Sequence, residues 1–284
     1  MPDQVLTEEP LQFGEGGRLF GILTAPCTPH NARELPVFVF LSAGLLHHVG
    51  PYRLHVRVAR ELAQMGFSSL RVDLAGMGDS PPRPGLSYRQ SISADFGEIL
   101  SVLDSRLGCL PLVLAGLCTG ADNATYLALK EPRVVGMVLL DPICYPDPGF
   151  GTREIVAKYT NPSRYAGWLK RRLKSLTQSS ERKPADDRPV DPLALRDLPT
   201  LEQLREAFGS IRERGGRVLS VFTEYAHGYY NQSGQLGRVL GVNGYQQRCT
   251  ELFWPETHHT YWLEQHRSRL IEEIKTWAGN YIRQ

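Results

Sequence analysis

The pentapeptide Gly116-Leu117-Cys118-Thr119-Gly120 joins a short apolar run, residues 111–115, to a helix-like stretch over residues 121–130. An apolar run of this length, followed by glycines and then a helical pattern, predicts a buried strand, a tight corner and a crossover helix. The central residue of such a corner has a strained backbone that leaves room only for small neighbours, and the two glycines supply that room. We therefore expect the Cys118 sulfur to stand above the sheet at a helix N-terminus, where the helix dipole favours a thiolate.

Apolar runs and helix-like stretches alternate along the first half of the chain. In chain order, the predicted strands and helices are 36–43, 52–65, 67–73, 88–107, 111–115, 121–130 and 134–141. Because parallel strands need helical crossovers, this alternation predicts a mostly parallel, doubly wound α/β sheet. A Gly-rich turn within residues 11–24 adds an antiparallel hairpin. Strands at 217–222 and 250–254 complete a sheet of about eight strands, and a helix over 264–282 follows.

The alternation stops after the sixth predicted strand, near residue 142. Between residues 142 and 212 the chain is irregular and basic, and residues 152–188 contain ten lysines or arginines against four acidic residues. We predict that residues 142–212 form an inserted lid. The core then consists of an N-terminal part, residues 1–141, and a C-terminal part, residues 213–284.

The composition argues against several classes of protein. A net charge of +2 over 284 residues does not suit a dedicated nucleic-acid binder. No apolar run approaches the roughly 20 residues that span a bilayer, and the acidic N-terminus differs from a signal peptide, so we expect a cytoplasmic protein. Five cysteines without metal-binding spacing indicate reduced thiols and no metal site. We expect no role beyond packing for four of them: Cys27, Cys109, Cys144 and Cys249.

Two motifs together resemble those of the α/β-hydrolases. Residues 73–80 read Asp-Leu-Ala-Gly-Met-Gly-Asp-Ser and match the Asp-x-x-Gly-x-Gly-x-Ser turn after the fourth strand. Residues 116–120 match the nucleophile elbow Gly-x-Ser-x-Gly, with cysteine in place of serine. The chain resembles the serine-aminopeptidase-like type along nearly its whole length, the lid excluded. The elbow and the loop 43–53 look most like those of bacterial hydrolases associated with exopolysaccharide and specialised-metabolite pathways. Polyhydroxyalkanoate synthases and dienelactone hydrolases make the same cysteine-for-serine change.

The resemblance implies partners for Cys118. In α/β-hydrolases the loop before the last helix carries the catalytic histidine, and the match selects His259, with His258 in the place of an aspartate. One donor to the oxyanion would be the backbone N–H of Thr119, directly after the nucleophile. The other would be the backbone N–H of Leu45, in the loop after the third strand.

The catalytic acid is where the sequence departs from the family pattern. The usual Gly-x-x-Asp after the seventh strand is absent, and Glu224 is the only carboxylate between residues 222 and 231. Asp141, at the end of the sixth strand, is the alternative, because some members of this fold carry the acid there. We favour Glu224 narrowly over Asp141. A third option is that a thiolate–imidazolium pair needs no acid.

Three further histidines lie in loops that can border the pocket. His47 and His48 follow the predicted oxyanion donor, and His227 lies in the loop after the seventh strand. A polar loop residue without a role is the plainer interpretation of each. We retain all three as candidate substrate-binding residues.

A cysteine nucleophile implies a thioester intermediate. We expect a covalent acyl-Cys118, formed from an ester or a thioester, that is either hydrolysed or passed to an alcohol or amine in a bacterial biosynthetic pathway. The basic lid favours anionic partners such as coenzyme A or an acyl-carrier protein, although a solvated helix face explains it more simply. No cofactor is expected, and the oligomeric state stays open. Two alternatives remain: a lyase on the same scaffold that eliminates acetate or another carboxylate, and a hydrolase-like protein that only binds a partner.

Overall fold

A single eight-stranded sheet organises the protein. The computed structural model describes residues 6–27, 35–44, 46–160 and 197–283. The strands are β1 (Leu6–Phe13), β2 (Leu19–Pro26), β3 (Val37–Leu41), β4 (Ser69–Asp73), β5 (Leu112–Leu117), β6 (Val134–Leu140), β7 (Arg217–Thr223) and β8 (Cys249–Trp254). Their order in the sheet is β1-β2-β4-β3-β5-β6-β7-β8. Only the pairings of β1 with β2 and of β2 with β4 are antiparallel; from β4 to β8 all neighbours run parallel. The predicted architecture is confirmed, including the opening hairpin.

Helices cover both faces of this sheet. The helices are α1 (Leu54–Gln64), α2 (Tyr88–Leu107), α3 (Thr119–Ala128), α4 (Phe150–Thr160), α5 (Leu201–Glu213), α6 (Gln235–Leu240), α7 (Tyr245–Arg248) and α8 (Glu264–Ile282). In the described part of the chain, none of them combines the length and the apolar character needed to cross a bilayer.

Strand β5 occupies the middle of the sheet and is buried throughout. Its side chains alternate between two apolar clusters: Leu112 and Leu114 belong to one, and Val113, Ala115 and Leu117 to the other. This alternation means that both faces of the sheet are covered, as the continuous apolar runs predict. The carboxyl ends of the parallel strands meet at one edge, which is where ligands bind in sheets of this kind.

The predicted lid lies between β6 and β7. Residues 161–196, which include most of its basic residues, fall outside the described residues. Helix α4 precedes that gap and helix α5 follows it. Leu204, Phe208 and Ile211 of α5 are buried in the core cluster. The C-terminal end of the segment 142–212 therefore packs against the sheet.

Candidate active site

Cys118 stands at the corner between β5 and α3, in a strained backbone conformation. Its φ and ψ are 56° and −118°, a region that L-residues rarely adopt. A Cβ on Gly116 would come within 2.2 Å of the Gly120 backbone, and one on Gly120 would come within 2.6 Å of the Leu41 carbonyl oxygen. Only glycine fits at these two positions, as the sequence pattern predicts. The Cys118 N–H donates to the carbonyl of Leu140 at 2.8 Å, which fixes the corner against β6.

His259 follows β8 and pairs with Asp141, which follows β6. The distance between His259 Nδ1 and Asp141 Oδ2 is 2.6 Å. Asp141 is completely buried, with φ at 48°. The backbone N–H of Thr223 donates to Oδ1 and the Thr223 hydroxyl donates to Oδ2, each at 2.6 Å. These bonds compensate a buried carboxylate that would otherwise be costly, and they hold it in one orientation towards the imidazole.

The surroundings of His259 favour its protonated form. Burial alone would lower its pKa, but hydrogen bonds with Asp141 and with Cys118 outweigh burial and raise the pKa to about 9. The ring of Tyr225 stacks on the imidazole, with ring centroids 4.1 Å apart and an angle of 23° between the planes. An electron-rich aromatic face against a cationic ring is a favourable contact. Tyr225 carries no motif, and sequence reasoning missed it.

Glu224, the carboxylate that the sequence favoured as the acid, does not reach His259. It starts the turn after β7, and its Oε1 lies 3.6 Å from Nε2 of His258, with both side chains nearly half exposed. The preference for Glu224 is therefore corrected: the carboxylate on His259 is that of Asp141. The physical reason lies at the end of β7. The side chain of Thr223 faces the site and donates to Asp141, and the side chain of the next residue, Glu224, is directed elsewhere, towards His258.

Of the two predicted oxyanion donors, the structure describes Thr119 but not Leu45. Thr119 opens α3, where first-turn N–H groups have no intrahelical partner. Its hydroxyl oxygen accepts the N–H of Gly44 at 2.6 Å, which ties the loop after β3 to the elbow. Leu45 lies outside the described residues, so its N–H stays a prediction.

His48 is engaged away from the nucleophile. Its Nδ1 lies 2.8 Å from Asp73 Oδ2, and its ring contacts Phe20. His47 is exposed in the same loop. His227 is half-buried, with its ring edge-on to Phe253 at 6.0 Å between centroids. The contact with Asp73 holds His48 and its loop in place. Substrate binding by His47 and His227 stays a prediction.

Asp73 organises the turn that carries the Asp-x-x-Gly-x-Gly-x-Ser motif. It is fully buried and accepts hydrogen bonds from the N–H groups of His48 and Asp79. A Cβ on Gly78 would lie 2.3 Å from the Asp73 carboxylate, which explains the second glycine. The side chains of His48, Asp73 and Asp79 bring potential metal-ligand atoms within 4.8 Å of one another. Because Asp73 is already engaged by these donors, we interpret the group as a structural hydrogen-bond cluster.

A hydrogen-bonded pair near the elbow, Asn123 and Tyr88, carried no sequence signal. Asn123, buried on α3, donates from Nδ2 to the hydroxyl oxygen of Tyr88 at 3.0 Å. Although 42% of the Tyr88 surface is exposed, the surroundings of its hydroxyl exclude water and raise the pKa of Tyr88, and the nearby charges of Asp122 and Cys118 raise it further. Tyr88 therefore stays a neutral hydroxyl close to the sulfur. The position of Tyr88 near Cys118 follows from the packing of α2 against α3, and the sequence gives no sign of it because the two residues are far apart in the chain.

The family model for serine aminopeptidase, S33, matches residues 35–213 of the chain. The chain belongs to this α/β-hydrolase family. The matched range contains the Asp73 turn, the elbow and Asp141, and the protein is accordingly a hydrolase of the α/β-hydrolase type. Where the elbow pattern Gly-x-Ser-x-Gly has serine, this chain has Cys118.

Individual relatives of this α/β-hydrolase agree with the family match. The chain is 37% identical over 102 residues to the mouse sn-1-specific diacylglycerol lipase ABHD11, an alignment that covers 36% of this chain and 30% of that protein. The chain thus spans less than a third of the length of this curated relative. The esterase Pf2001 of Pyrococcus furiosus superposes with a TM-score of 0.58 at 11% identity, over 97% of this chain and 90% of that one. The thioesterase domain from the curacin biosynthetic pathway gives 0.52 at 17% identity, over 95% and 99%. At these identities the structures share the fold.

Proposed function

We propose that this α/β-hydrolase cleaves an ester or thioester through a covalent acyl-Cys118 intermediate, with His259 as acid and base and Asp141 as its orienting carboxylate. The observation that carries the proposal is the continuous hydrogen-bonded series from Cys118 through His259 to the buried Asp141. A nucleophile, a base and a group that orients the base, each on the end of a different strand, are what covalent acyl transfer requires. In this proposal the backbone N–H of Thr119, at the start of α3, donates a hydrogen bond to the oxyanion.

The first half of the reaction forms the thioester. The Cys118 thiolate attacks the carbonyl carbon, and a C–S bond forms as the carbonyl oxygen becomes an oxyanion, which the Thr119 N–H stabilises. When the carbonyl re-forms, the bond to the leaving oxygen or sulfur breaks. The imidazolium of His259 gives its proton to that leaving group. With a pKa of about 9, His259 holds this proton at neutral pH.

The second half releases the acyl group. His259, now neutral, takes a proton from water, and the resulting hydroxide adds to the thioester carbonyl. The C–S bond breaks, the acid leaves, and the thiolate–imidazolium pair is restored. Transfer to an alcohol or amine would follow the same course with that nucleophile in place of water. The cysteine itself favours transfer as the second candidate, because a thioester is a better acyl donor than an oxygen ester.

We propose an apolar acyl group because three exposed apolar side chains lie in segments that carry or adjoin the site residues. Leu46 lies in the loop after β3, Tyr88 lies beside Cys118, and Trp262 follows the His259 turn; all three have more than 40% of their surface exposed. The names of the mouse lipase and of the thioesterase domain support an ester or a thioester as the bond cleaved. Coenzyme A or an acyl-carrier protein stays a proposed carrier.

The alternatives fit the site less well. A lyase in which His259 is the base needs an unprotonated ring, whereas the surroundings of His259 favour the protonated form. A protein that only binds a partner would not need the buried, fully hydrogen-bonded Asp141 behind an imidazole. A screen of ester and thioester probes with matched acyl groups tests the proposal. Product analysis separates hydrolysis and transfer from elimination, which would leave an unsaturated product.

The pH dependence of Cys118 alkylation by iodoacetamide reports on the ion pair. Because the pKa of His259 is raised from 6.5 to about 9, its positive charge persists across that interval and is lost only above about pH 9. We expect alkylation of Cys118 to stay nearly constant from pH 6.5 to 9, whereas an ordinary thiol gains reactivity steeply towards about pH 8.5. Turnover should fall above pH 9, as the proton for the leaving group is lost. Peptide mass spectrometry gives the rates, with the exposed Cys27 as internal reference. Parallel curves for the two cysteines would count against the pair.

Replacing Tyr225 tests the stacking contact on His259. We expect Tyr225→Ala to lower kcat about three- to tenfold, since such a contact contributes on the order of 1 kcal/mol. Tyr225→Phe keeps the ring and should keep most of kcat. Steady-state kinetics of both variants check this. If the phenylalanine variant is as slow as the alanine variant, the tyrosine hydroxyl matters and the stacking account is wrong.

A further inference from the structure

A groove of about 250 Å³ lies between α1 and the outer strands of the sheet, and we call it the arginine groove (Glu8, Arg53, Arg60 and Arg71). Its sheet side follows from strand register. Pro10 of β1 pairs with Ile22 of β2, and Ile22 pairs with Arg71 of β4, so the three side chains form one row. Glu8 stands two residues before Pro10 and shares its face of the strand.

The helix side of the arginine groove follows from helical spacing. Arg53, Val56 and Arg60 are separated by three and four residues, which places them on one stripe of α1 and its N-cap. Arg53 and the preceding Tyr52 both have left-handed φ values, 61° and 49°. Two successive strained residues that are not glycine turn the Arg53 side chain towards the groove, and such strain concentrates at functional sites.

The charges in the arginine groove do not balance. Nη2 of Arg71 donates to Glu8 Oε1 at 2.8 Å, and Arg60 donates to Glu8 Oε2 from Nε and Nη2 at 3.1 and 2.5 Å. Arg53 has no carboxylate within ion-pair distance among the residues that the structure describes. Three guanidinium groups thus share one carboxylate, which leaves an excess of two positive charges.

Arg71 shows that this excess is costly. Only 3% of its surface is exposed, and its Nε is buried without a hydrogen-bond partner in the described part of the chain. Burial lowers the pKa of Arg71; Glu8 opposes that effect, while the neighbouring charges of Arg60 and Arg53 add to it. A buried, incompletely satisfied cation at the base of an open groove is favourable to an anionic ligand.

We propose that the arginine groove binds a dianion of phosphate size, either inorganic phosphate or the phosphoryl group of a phosphomonoester. A dianion cancels the excess of two charges, and guanidinium groups match phosphate oxygens in pairs. The apolar side chains of Pro10, Ile22 and Val56 would contact the organic part of a phosphomonoester. Phosphate binding in the arginine groove does not depend on the chemistry of Cys118, so the two proposals are tested independently.

Isothermal titration calorimetry of the full chain with inorganic phosphate, at neutral pH and at an ionic strength held constant with sodium chloride, tests this site. We expect saturable binding, and Arg53→Ala should weaken it about tenfold or more, as the loss of a charge-assisted contact does. Arg106→Ala is the control: like Arg53→Ala it removes one exposed arginine, but Arg106 lies outside the groove, where it pairs with Glu9 of β1. This control should bind phosphate like the unaltered protein.

A parallel titration with phenyl phosphate identifies the source of the phosphoryl group. Tighter binding than inorganic phosphate indicates a phosphomonoester whose organic part contacts the apolar wall, and equal binding indicates phosphate alone. The proposal is overturned if inorganic phosphate gives no saturable heat, or if it binds Arg53→Ala as tightly as the unaltered protein. Thermal unfolding of the variants with and without phosphate confirms that they fold and gives a second measure of binding.

Discussion

Cys118→Ala is expected to lower kcat/KM by about 10⁴-fold or more on any ester or thioester that the protein cleaves, because the proposed acyl intermediate forms on the Cys118 sulfur. The loss should not come from unfolding. Cysteine and alanine both have a Cβ, so the strained φ of 56° costs the two residues alike, and the side chain is only partly buried. We expect the stability to change by less than about 1 kcal/mol. Steady-state kinetics and thermal unfolding measure the two effects separately.

Cys118→Ser is the informative companion, because it restores the nucleophile that the family name implies. A serine hydroxyl must give its proton to His259 before it can attack, and it ionises far less readily than a cysteine thiol. We expect the serine variant to remain on the order of 10²-fold or more below the unaltered protein. Full turnover by the alanine variant would show that Cys118 is not the nucleophile.

Asp141→Asn is expected to lower kcat/KM by about 10²- to 10³-fold, with the fold retained. The amide keeps the shape of the carboxylate, so its oxygen can still accept the Thr223 N–H. Its NH₂ group, however, would face His259 Nδ1 and force that nitrogen to become an acceptor. The proton then moves to the other ring nitrogen, the tautomer is wrong for catalysis, and the imidazolium loses its counter-charge. A residual rate from the thiolate itself keeps the effect below that of Cys118→Ala.

Glu224→Gln is the control for the buried aspartate, since it makes the same chemical change at the other candidate acid. Glu224 is half exposed and lies near His258, 3.6 Å away. We expect kcat/KM within about twofold of the unaltered protein, because exposed pairs of this kind contribute little. A large loss in Glu224→Gln together with a small one in Asp141→Asn would reverse the assignment of the acid.

Most strands and the long helices were predictable from the sequence, because capping residues and the spacing of apolar residues indicate the same elements. The helices α2 and α8 have the predicted bounds, 88–107 and 264–282, and α2 begins with a capping box in which Ser87 and Gln90 satisfy each other's N–H groups. The buried parallel strands were visible as continuous apolar runs. Four helices were not predicted. Helices α4 and α5 lie in the segment that we interpreted as an irregular lid, and α6 and α7, with six and four residues, are too short to show a helical period.

The candidate site was predictable only where a motif fixes the geometry. The elbow and the position before the last helix indicated Cys118 and His259. The acid was not fixed, since Glu224 and Asp141 both follow parallel strands, and which one reaches the imidazole depends on side-chain direction at the strand ends. Asp141 and His259 are 118 residues apart. Tyr225 stacks on His259 because the turn after β7 places its ring there, and no sequence pattern predicts the path of that turn.

The mass of the protein after brief reaction with an acyl thioester probe tests the acyl-enzyme directly. The reaction of the unaltered protein is quenched with acid within the first turnover, before the acyl group is released. The account predicts a mass increase equal to one acyl group, located by peptide mapping on Cys118, removed by hydroxylamine and absent from Cys118→Ala. Turnover of the probe without any adduct on Cys118, or an adduct on another residue that persists in Cys118→Ala, would contradict it.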